Sequence, residues 1–148
     1  MKKINLFVFA AIAAAFVSCA SSPKASKKVI PAIGDLGQGG GIVFMVEGKT
    51  VYECAELPDR VKYEDAAEYA KAYNGGGFTD WRLPNRAELD AIYQNLRATE
   101  IITGDGLYWT SELQDEEHAW GQRFNSGGTG AHEIAKGHSH NVFAVRTY

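Results

Sequence analysis

The sequence predicts one α+β domain of about 115 residues behind an N-terminal export segment. Two short stretches on either side of residues 74–85 repeat apolar side chains at helical spacing. Runs of β-branched and aromatic residues before and after them are typical of strands. A triple glycine followed by Trp81 separates the two predicted helices, so we expect one helix to stop there, the backbone to turn, and the next helix to begin.

The first 18 residues have the features of a secretory signal peptide. Two lysines precede an apolar run at residues 6–17, which is short for a bilayer span. Residues 16–19, Phe-Val-Ser-Cys, resemble the lipobox of bacterial lipoproteins, with Phe16 standing where that family usually has an aliphatic residue. The resemblance implies that Cys19 is acylated and holds the protein on a bacterial membrane, on the extracytoplasmic side. The alternative is an ordinary secretory signal in which Cys19 is incidental.

Residues 19–32 are predicted to be a tether, because they are too poor in apolar side chains to fold. The three tether lysines and the two near the start account for five of the fifteen basic residues, whereas all eighteen acidic residues lie from Asp35 onward. The domain, residues 33–148, therefore has ten basic and eighteen acidic residues, a net charge of −8, compared with −3 for the whole chain. Nucleic acid is disfavoured as a partner, since phosphate surfaces need clustered lysine and arginine.

Two features of the N-terminal half mimic reactive or nucleotide-binding sites. Cys54 is the only cysteine of the domain, so no internal disulfide is expected, and its acidic neighbours favour a buried small hydrophobe over a nucleophile. The glycine-rich residues 33–41 lack the Gly-Lys-Ser/Thr ending of a phosphate loop and lead into a predicted strand. We therefore interpret them as an entry loop.

The predicted elements follow the chain in order. They are a hairpin of strands 42–46 and 50–55 around a turn at 47–49, helices at 65–73 and 85–97, and strands at 107–112, 119–124 and 141–148. Trp120 and Phe124 are expected to share one face of their strand, and residues 125–130 to form a turn. The last strand is predicted to be buried beside the first hairpin.

The segment between the helices is predicted to anchor the core. Trp81 and Arg82 begin an apolar–polar–apolar alternation, which favours a buried indole beside a cation. Arg82 is expected to pair with Asp80, Glu88 or a helix-end carbonyl. Asn85 and Glu88 have the spacing of a capping box, which predicts that the second helix begins there.

Five ordered motifs resemble a domain of unknown function typified by the C-terminal domain of the Legionella collagen-like adhesin. They are Ile33-Gly34-Asp35 with residues 40–44, Gly76-Gly77-Phe78-Thr79-Asp80-Trp81-Arg82-Leu83-Pro84 with Glu88-Leu89, residues 108–112, Ala119-Trp120 with Phe124, and Val145-Arg146. The resemblance covers residues 33–148. It implies a C-type lectin-like fold, related to that of formylglycine-generating enzymes, with two helices on a small twisted mixed or antiparallel sheet and paired terminal strands. Its known members include adhesive and lipid-anchored binding modules, which implies binding without catalysis.

Enzyme chemistry is an alternative that the formylglycine-generating relatives raise. Those enzymes rely on cysteines and metal ions, whereas this domain has one cysteine. A hydrolase triad would need Ser111, Ser126 or Ser139 with His118 or His132, and no nucleophile elbow surrounds any of these serines. We therefore predict no catalytic residue.

Metal-dependent binding is a second alternative. The Glu-Pro-Asn and Trp-Asn-Asp signatures of calcium-dependent lectins are missing, and the adjacent acidic residues 115–117 diverge too much to surround one ion. His132, His138 and His140 are weak candidates for a transition-metal site. We interpret them as belonging to a polar surface loop, and we predict no metal or cofactor.

The candidate binding face is expected on the loops between residues 114 and 140, where aromatic and polar groups mix. The candidate ligand-binding residues are Trp120, Arg123, Asn125, His132 and His138. The sequence thus predicts a lipoprotein of the cell envelope whose partners are the bilayer, through Cys19, and a glycan or protein ligand, with a role in adhesion. The alternatives are an enzyme or enzyme-accessory domain and a structural envelope protein.

Overall fold

The computed structural model describes residues 29–125 and 131–148, without the side chain of residue 131. The predicted signal peptide, Cys19 and the tether up to residue 28 lie outside these ranges, and so do residues 126–130 of the predicted turn. Among the described residues, no helix has the length and apolar character needed to cross a bilayer.

The described chain contains six strands and two main helices, which confirms the α+β class. The elements are β1 (Ile42–Glu47), β2 (Thr50–Glu56), α1 (Tyr63–Ala72), α2 (Arg86–Ile92), β3 (Leu107–Leu113), β4 (His118–Arg123), β5 (Ala131–Ala135) and β6 (Phe143–Thr147). A short 3-10 turn, Gly75–Gly77, lies between the helices, and α2 continues as a π-helix, Tyr93–Arg97. The second helix therefore extends over the predicted residues 85–97, but its last turn is wider than an α-helix.

The strands form two three-stranded antiparallel sheets, in the orders β1-β2-β6 and β3-β4-β5. The C-terminal strand β6 joins the opening hairpin through β2, where Cys54 lies opposite Val145. The two sheets meet beside β6, since Trp109 N–H donates to the carbonyl of Asn141 at 3.0 Å. The sheet that the sequence predicts is therefore divided in two, with the last strand next to the first hairpin as expected.

His132 lies in strand β5, so its interpretation as part of a polar loop was wrong. Residues 131–135 pair one by one with β4, and Gly121 lies opposite His132. Among residues 132–135 of β5, only Ile134 is buried in the core, at 6% exposure. This short edge strand has no clear apolar alternation in its sequence, so pairing with β4 decides its conformation.

Alternating side chains of the strands supply two hydrophobic cores, one against each helix. Trp109 and Ala144 pack in the core that α1 covers, whereas Tyr108 and Phe143 pack in the core that α2 covers. The first core contains Leu57, Ala66, Ala70, Trp81, Leu83, Trp109, Ala119, Ile134, Val142 and Ala144. The second contains Phe44, Cys54, Leu89, Ile92, Leu96, Tyr108, Phe124, Phe143 and Val145. Burial of Cys54 agrees with its predicted role as a small hydrophobe.

The segment between the helices anchors the first core as predicted. Trp81 is 1% exposed and Leu83 is 5% exposed. The indole Nε1 of Trp81 donates to the carbonyl of Gly75 at 3.1 Å, which satisfies its buried N–H. Arg82 exchanges two backbone hydrogen bonds with Val145, at 2.8 and 2.9 Å, so this segment lies along β6.

The triple glycine does not end α1, which corrects the prediction. The helix ends at Ala72 because Tyr73 already has an extended backbone, with φ −67° and ψ 134°. Gly76, with φ 63°, instead forms the separate 3-10 turn. A Cβ at Gly76 would lie 2.7 Å from Cα of Gly39, so glycine is needed there for close approach of the entry loop.

The predicted capping box at the start of α2 is confirmed. Glu88 N–H donates to the Asn85 side chain at 2.8 Å, and Asn85 N–H donates to the Glu88 carboxylate at 2.9 Å. The same carboxylate accepts from Arg82 Nη1 at 2.7 Å, which confirms one of the predicted partners of Arg82. Asp80, another predicted partner, binds Arg146 instead.

Candidate functional site

A surface groove lies between α1 and the extended segment that follows the 3-10 turn. Its volume is about 500 Å³, which is within the usual range for small-ligand sites. The lining residues are Ala67, Glu68, Lys71, Thr79, Asp80, Trp81, Arg82, Leu83, Asn85 and Ser111. We call this depression the α1 groove.

The backbone of the extended segment presents free hydrogen-bonding groups beside the α1 groove. Because Arg82 N–H and C=O bind Val145, the backbone groups of Trp81 and Leu83 point away from β6. Within the described residues, the N–H and C=O of Trp81 and the N–H of Leu83 have no hydrogen-bond partner. Trp81, Arg82 and Leu83 themselves line the groove, whereas no residue of β6 does.

Charged side chains with different degrees of constraint surround the groove. Arg146 donates to the Asp80 carboxylate at 2.8 Å and lowers its pKa, yet the Asp80 side chain is 52% exposed. Arg82 is 47% exposed and its pKa is raised by its hydrogen bonds to Glu88. Both groups are therefore oriented by buried or half-buried partners while they remain accessible to a ligand.

The opposite wall of the groove is formed by the exposed side of α1. Lys71 and Glu68 form a solvent-exposed ion pair of 3.8 Å, so neither is held firmly. Ser111 contributes an exposed hydroxyl from β3, and its backbone N–H donates to the carbonyl of Pro84 at 2.8 Å. The wall formed by the extended segment is thus rigid, whereas the side chains of the α1 wall are adaptable.

The predicted binding residues lie on two opposite sides of the β3-β4-β5 sheet. Trp120 faces α2, where the Arg86 guanidinium lies 4.0 Å from the centre of its ring. Phe124 faces the same helix and contacts Tyr93, which agrees with the prediction that Trp120 and Phe124 share a face. Since directions alternate along a strand, Arg123 points to the other side. Trp120 and Arg123 therefore do not contribute to one surface.

Of the remaining predicted residues, His132 lies on the α1 side of the same sheet. His132 lies opposite Gly121 and shares the side of the buried Ile134. His138 is exposed in the turn that follows β5, and its ring centre lies 6.3 Å from that of His140. Asn125 is half-buried next to the residues that the structure does not describe. Of the predicted set, Trp120, Arg123 and His132 lie in strands and not in loops.

His140 is a core residue, which corrects its interpretation as part of a surface loop. Its ring is 8% exposed, packs edge-on against Trp109 at 4.9 Å, and has no hydrogen-bond partner for either nitrogen among the described residues. Burial and the nearby charges of Arg60, His138 and Arg123 lower the pKa of His140. The buried imidazole is therefore held neutral.

The described residues do not bring together the side chains that a metal site or a thiol nucleophile needs. Within residues 29–125 and 131–148, no three His, Cys, Asp or Glu side chains lie close enough to hold one ion. Burial raises the pKa of the Cys54 thiol, which disfavours a reactive thiolate. His118 Nδ1 lies 3.0 Å from Asp115, and both groups are partly exposed. Ser126 of the hydrolase alternative lies outside the described residues.

From the sequence, Asp80, Arg82 and Asn85 were identified only as structural residues and Ser111 only as a rejected candidate nucleophile, while Glu68 and Lys71 were not selected as binding residues. The missing information is tertiary, because α1, the extended segment and β3 meet only in the fold. One local signal was available: in an extended segment, burying alternate side chains leaves those between them on the surface.

Comparisons with known proteins agree with the resemblance seen in the sequence. The profile of a family described as the Lcl C-terminal domain matches residues 47–146. Two solved structures resemble the fold with a TM-score of 0.42. The EPNH mutant of CEL-I has 13% identity, over 70% of this chain and 93% of that one. The C-type lectin CEL-I from Cucumaria echinata has 14% identity, over 68% and 91%. No curated protein shows significant sequence similarity.

Proposed function

The chain belongs to the family of the Lcl C-terminal domain, and from this premise we propose that it is a non-catalytic binding domain of a lipoprotein in the bacterial cell envelope. Its ligand in this proposal is a neutral or weakly charged glycan, and its role is adhesion to a surface that carries this glycan. Acylation of Cys19 would hold the domain on the extracytoplasmic side of a membrane.

The α1 groove is the observation that carries the binding role. Hydroxyl, carboxylate, amide and guanidinium groups of Thr79, Asp80, Arg82, Asn85 and Ser111 border about 500 Å³ of open space. Sugar hydroxyls are both donors and acceptors, so a site with both kinds of partner suits them. The net charge of −8 on the domain disfavours a polyanionic glycan.

The test of the glycan proposal is a glycan array probed with the mature chain, residues 19–148, carrying Cys19→Ser so that it stays soluble. Ala67→Trp places an indole in the groove, and we expect it to weaken binding of any array ligand at least tenfold. Ala72→Trp is the matched control, because Ala72 is exposed on the same helix and does not line the groove. Equal affinities of the two variants would exclude the groove as the site.

An extended peptide is a second candidate ligand, favoured by the free backbone groups of Trp81 and Leu83. Such an edge can accept a peptide strand through main-chain hydrogen bonds. A displayed peptide library tests this alternative in the same format. A peptide hit that loses binding on N-methylation of its backbone, and on Ala67→Trp, would support strand addition over glycan recognition.

Membrane anchoring is tested separately from ligand binding. Cys19→Ser in the full chain is expected to move the protein from the membrane fraction to the soluble fraction. Retention of this variant in membranes would refute acylation at Cys19. The same fractionation of the Ala67→Trp variant serves as the control, because the groove substitution leaves the anchor unchanged.

Binding that disappears on chelation would contradict the proposal that no metal is needed. In that case His132 and His138 are the residues to substitute first, since both are exposed. Turnover of an array ligand, seen as release of a modified product, would favour the enzyme alternative.

A further inference from the structure

Large exposed apolar side chains concentrate at the start of the described chain. Six such residues occur among the described residues, and five of them belong to two neighbouring segments. These five, which we call the N-terminal apolar patch, are Val29 (84% exposed), Ile30 (41%), Ile33 (44%), Leu36 (75%) and Ile101 (44%). The sixth, Leu113, lies at the end of β3, where β3 turns into β4.

The members of the patch are held together by local contacts. Val29 and Leu36 line one shallow depression of about 220 Å³. Ile33 sits in a turn that is closed by a hydrogen bond of 3.1 Å from Asp35 N–H to the carbonyl of Ala32. A Cβ at the next residue, Gly34, would lie 3.2 Å from Cδ1 of Ile101, so this turn touches Ile101. Val29 and Leu36 therefore lie side by side, and the turn that carries Ile33 lies against Ile101.

The patch lies where the chain leaves the domain towards Cys19. Nine residues separate Cys19 from Val29, and a chain of this length spans at most about 35 Å. Contiguous apolar surface on a soluble domain commonly marks an interaction site. The tether also carries Lys24, Lys27 and Lys28, whose charges attract anionic headgroups. Both the position and the neighbouring charges fit a lipid surface.

We propose that the N-terminal apolar patch docks onto the lipid bilayer, with the side chains of Val29, Ile33 and Leu36 entering its interfacial region. This inference rests on the proposed acylation of Cys19, which keeps the patch at high local concentration near the lipid, so that weak docking suffices. The Asp35 carboxylate accepts a hydrogen bond from Ala32 N–H at 2.8 Å and stays at the headgroup level. Docking fixes the orientation of the domain on the membrane.

The test uses the full acylated chain in vesicles of phosphatidylcholine and phosphatidylglycerol at a 3:1 ratio. Leu36→Cys is labelled with the fluorophore NBD, and Leu113→Cys, an exposed apolar site outside the patch, is the matched control. Native Cys54 is buried and its raised pKa protects it from labelling. Brominated lipids are expected to quench the label at position 36 at least twofold more than the label at position 113. Equal quenching at the two positions overturns the proposal.

A double variant of the patch distinguishes failure of docking from failure of the anchor. Val29→Ser with Ile33→Ser removes two exposed side chains outside both cores, and we expect roughly tenfold weaker docking for each aliphatic side chain that no longer enters lipid. Flotation of the same vesicles reports the anchor. For protein with Val29 and Ile33 intact, flotation without preferential quenching at position 36 refutes docking alone, whereas failure to float refutes the anchor and, with it, the docking. Preferential quenching at position 36 that persists unchanged in the double variant also overturns the docking.

Discussion

Arg146 provides the sharpest test of how the domain is held together. Its Nη1 donates to the Glu53 carboxylate at 2.7 Å, and the side chains of Arg146 and Glu53 are 4% and 0% exposed. Glu53 also accepts from the N–H groups of Gly39 at 2.8 Å and Gly41 at 3.1 Å. The guanidinium therefore balances a buried carboxylate that fixes the glycine-rich entry loop to β2.

The substitution Arg146→Met keeps much of the aliphatic stem and removes the charge, so Glu53 would be left buried without its cation. Removing one partner of a buried ion pair costs about 3–5 kcal/mol. Since small domains are stable by about 5–15 kcal/mol, this loss is a large part of the total. At roughly 4 °C per kcal/mol for a domain of this size, the melting temperature should fall by about 12–20 °C.

Urea denaturation of residues 19–148 carrying Cys19→Ser, followed by tryptophan fluorescence, measures this loss of unfolding free energy. Lys71→Met is the control, since its ion pair with Glu68 is exposed and its loss should not measurably change the midpoint. The double variant Glu53→Gln with Arg146→Met should cost less than the sum of the two single variants, because no unpaired charge stays buried. A loss below about 1 kcal/mol for Arg146→Met, or strict additivity in the double variant, would refute the reasoning.

Three further predictions concern single residues. Gly76→Ala should lower the free energy of unfolding by about 3 kcal/mol, and Gly48→Ala by only about 1 kcal/mol. Both glycines have positive φ, but a Cβ would meet a close neighbour only at Gly76, where the Cα of Gly39 would lie 2.7 Å away. Equal urea midpoints of the two variants would contradict this. His140→Phe should flatten the pH dependence of stability. With its pKa lowered in the folded state, neutral His140 stabilises fully above the unfolded pKa of about 6.5, and this contribution is lost as pH falls through that value towards the folded pKa. Midpoints that fall equally in the wild type and in His140→Phe between pH 8 and pH 5 would exclude His140 as the cause. Cys54 should react with a thiol reagent at pH 8 only after unfolding, and rapid labelling of native protein would show that its burial is incomplete.

Local features of the sequence were sufficient to predict the parts of the fold that depend on residues close together in the chain. The capping box of Asn85 and Glu88 is a contact between residues three apart, so its pattern is readable directly. The first hairpin and the burial of Trp81 follow from alternation over a few residues. The capping box and the hairpin are stabilised within the element itself, and the alternation around Trp81 marks which side chains enter the core.

The last strand was correctly expected beside the first hairpin, but individual long-range side-chain contacts could not be predicted from the sequence. Glu53 and Arg146 are 93 residues apart, and nothing in either local pattern indicates that they pair. The sequence around His132 has no apolar alternation, because β5 is an edge strand that forms through its pairing with β4. His140 was assigned to a loop since its polarity suggested exposure, whereas the packing against Trp109 buries it.

The residues that make this family recognisable also limit where ligand specificity can lie. Trp81 and Leu83 bury their side chains in the core, so their backbone groups are held rigidly beside the α1 groove. That wall is fixed by folding and cannot change without loss of stability. The exposed pair Glu68 and Lys71 has no comparable structural task. Specificity should therefore reside on the α1 wall, and exchanging these two side chains, by Glu68→Lys with Lys71→Glu, should change which ligand binds while the urea midpoint stays unchanged.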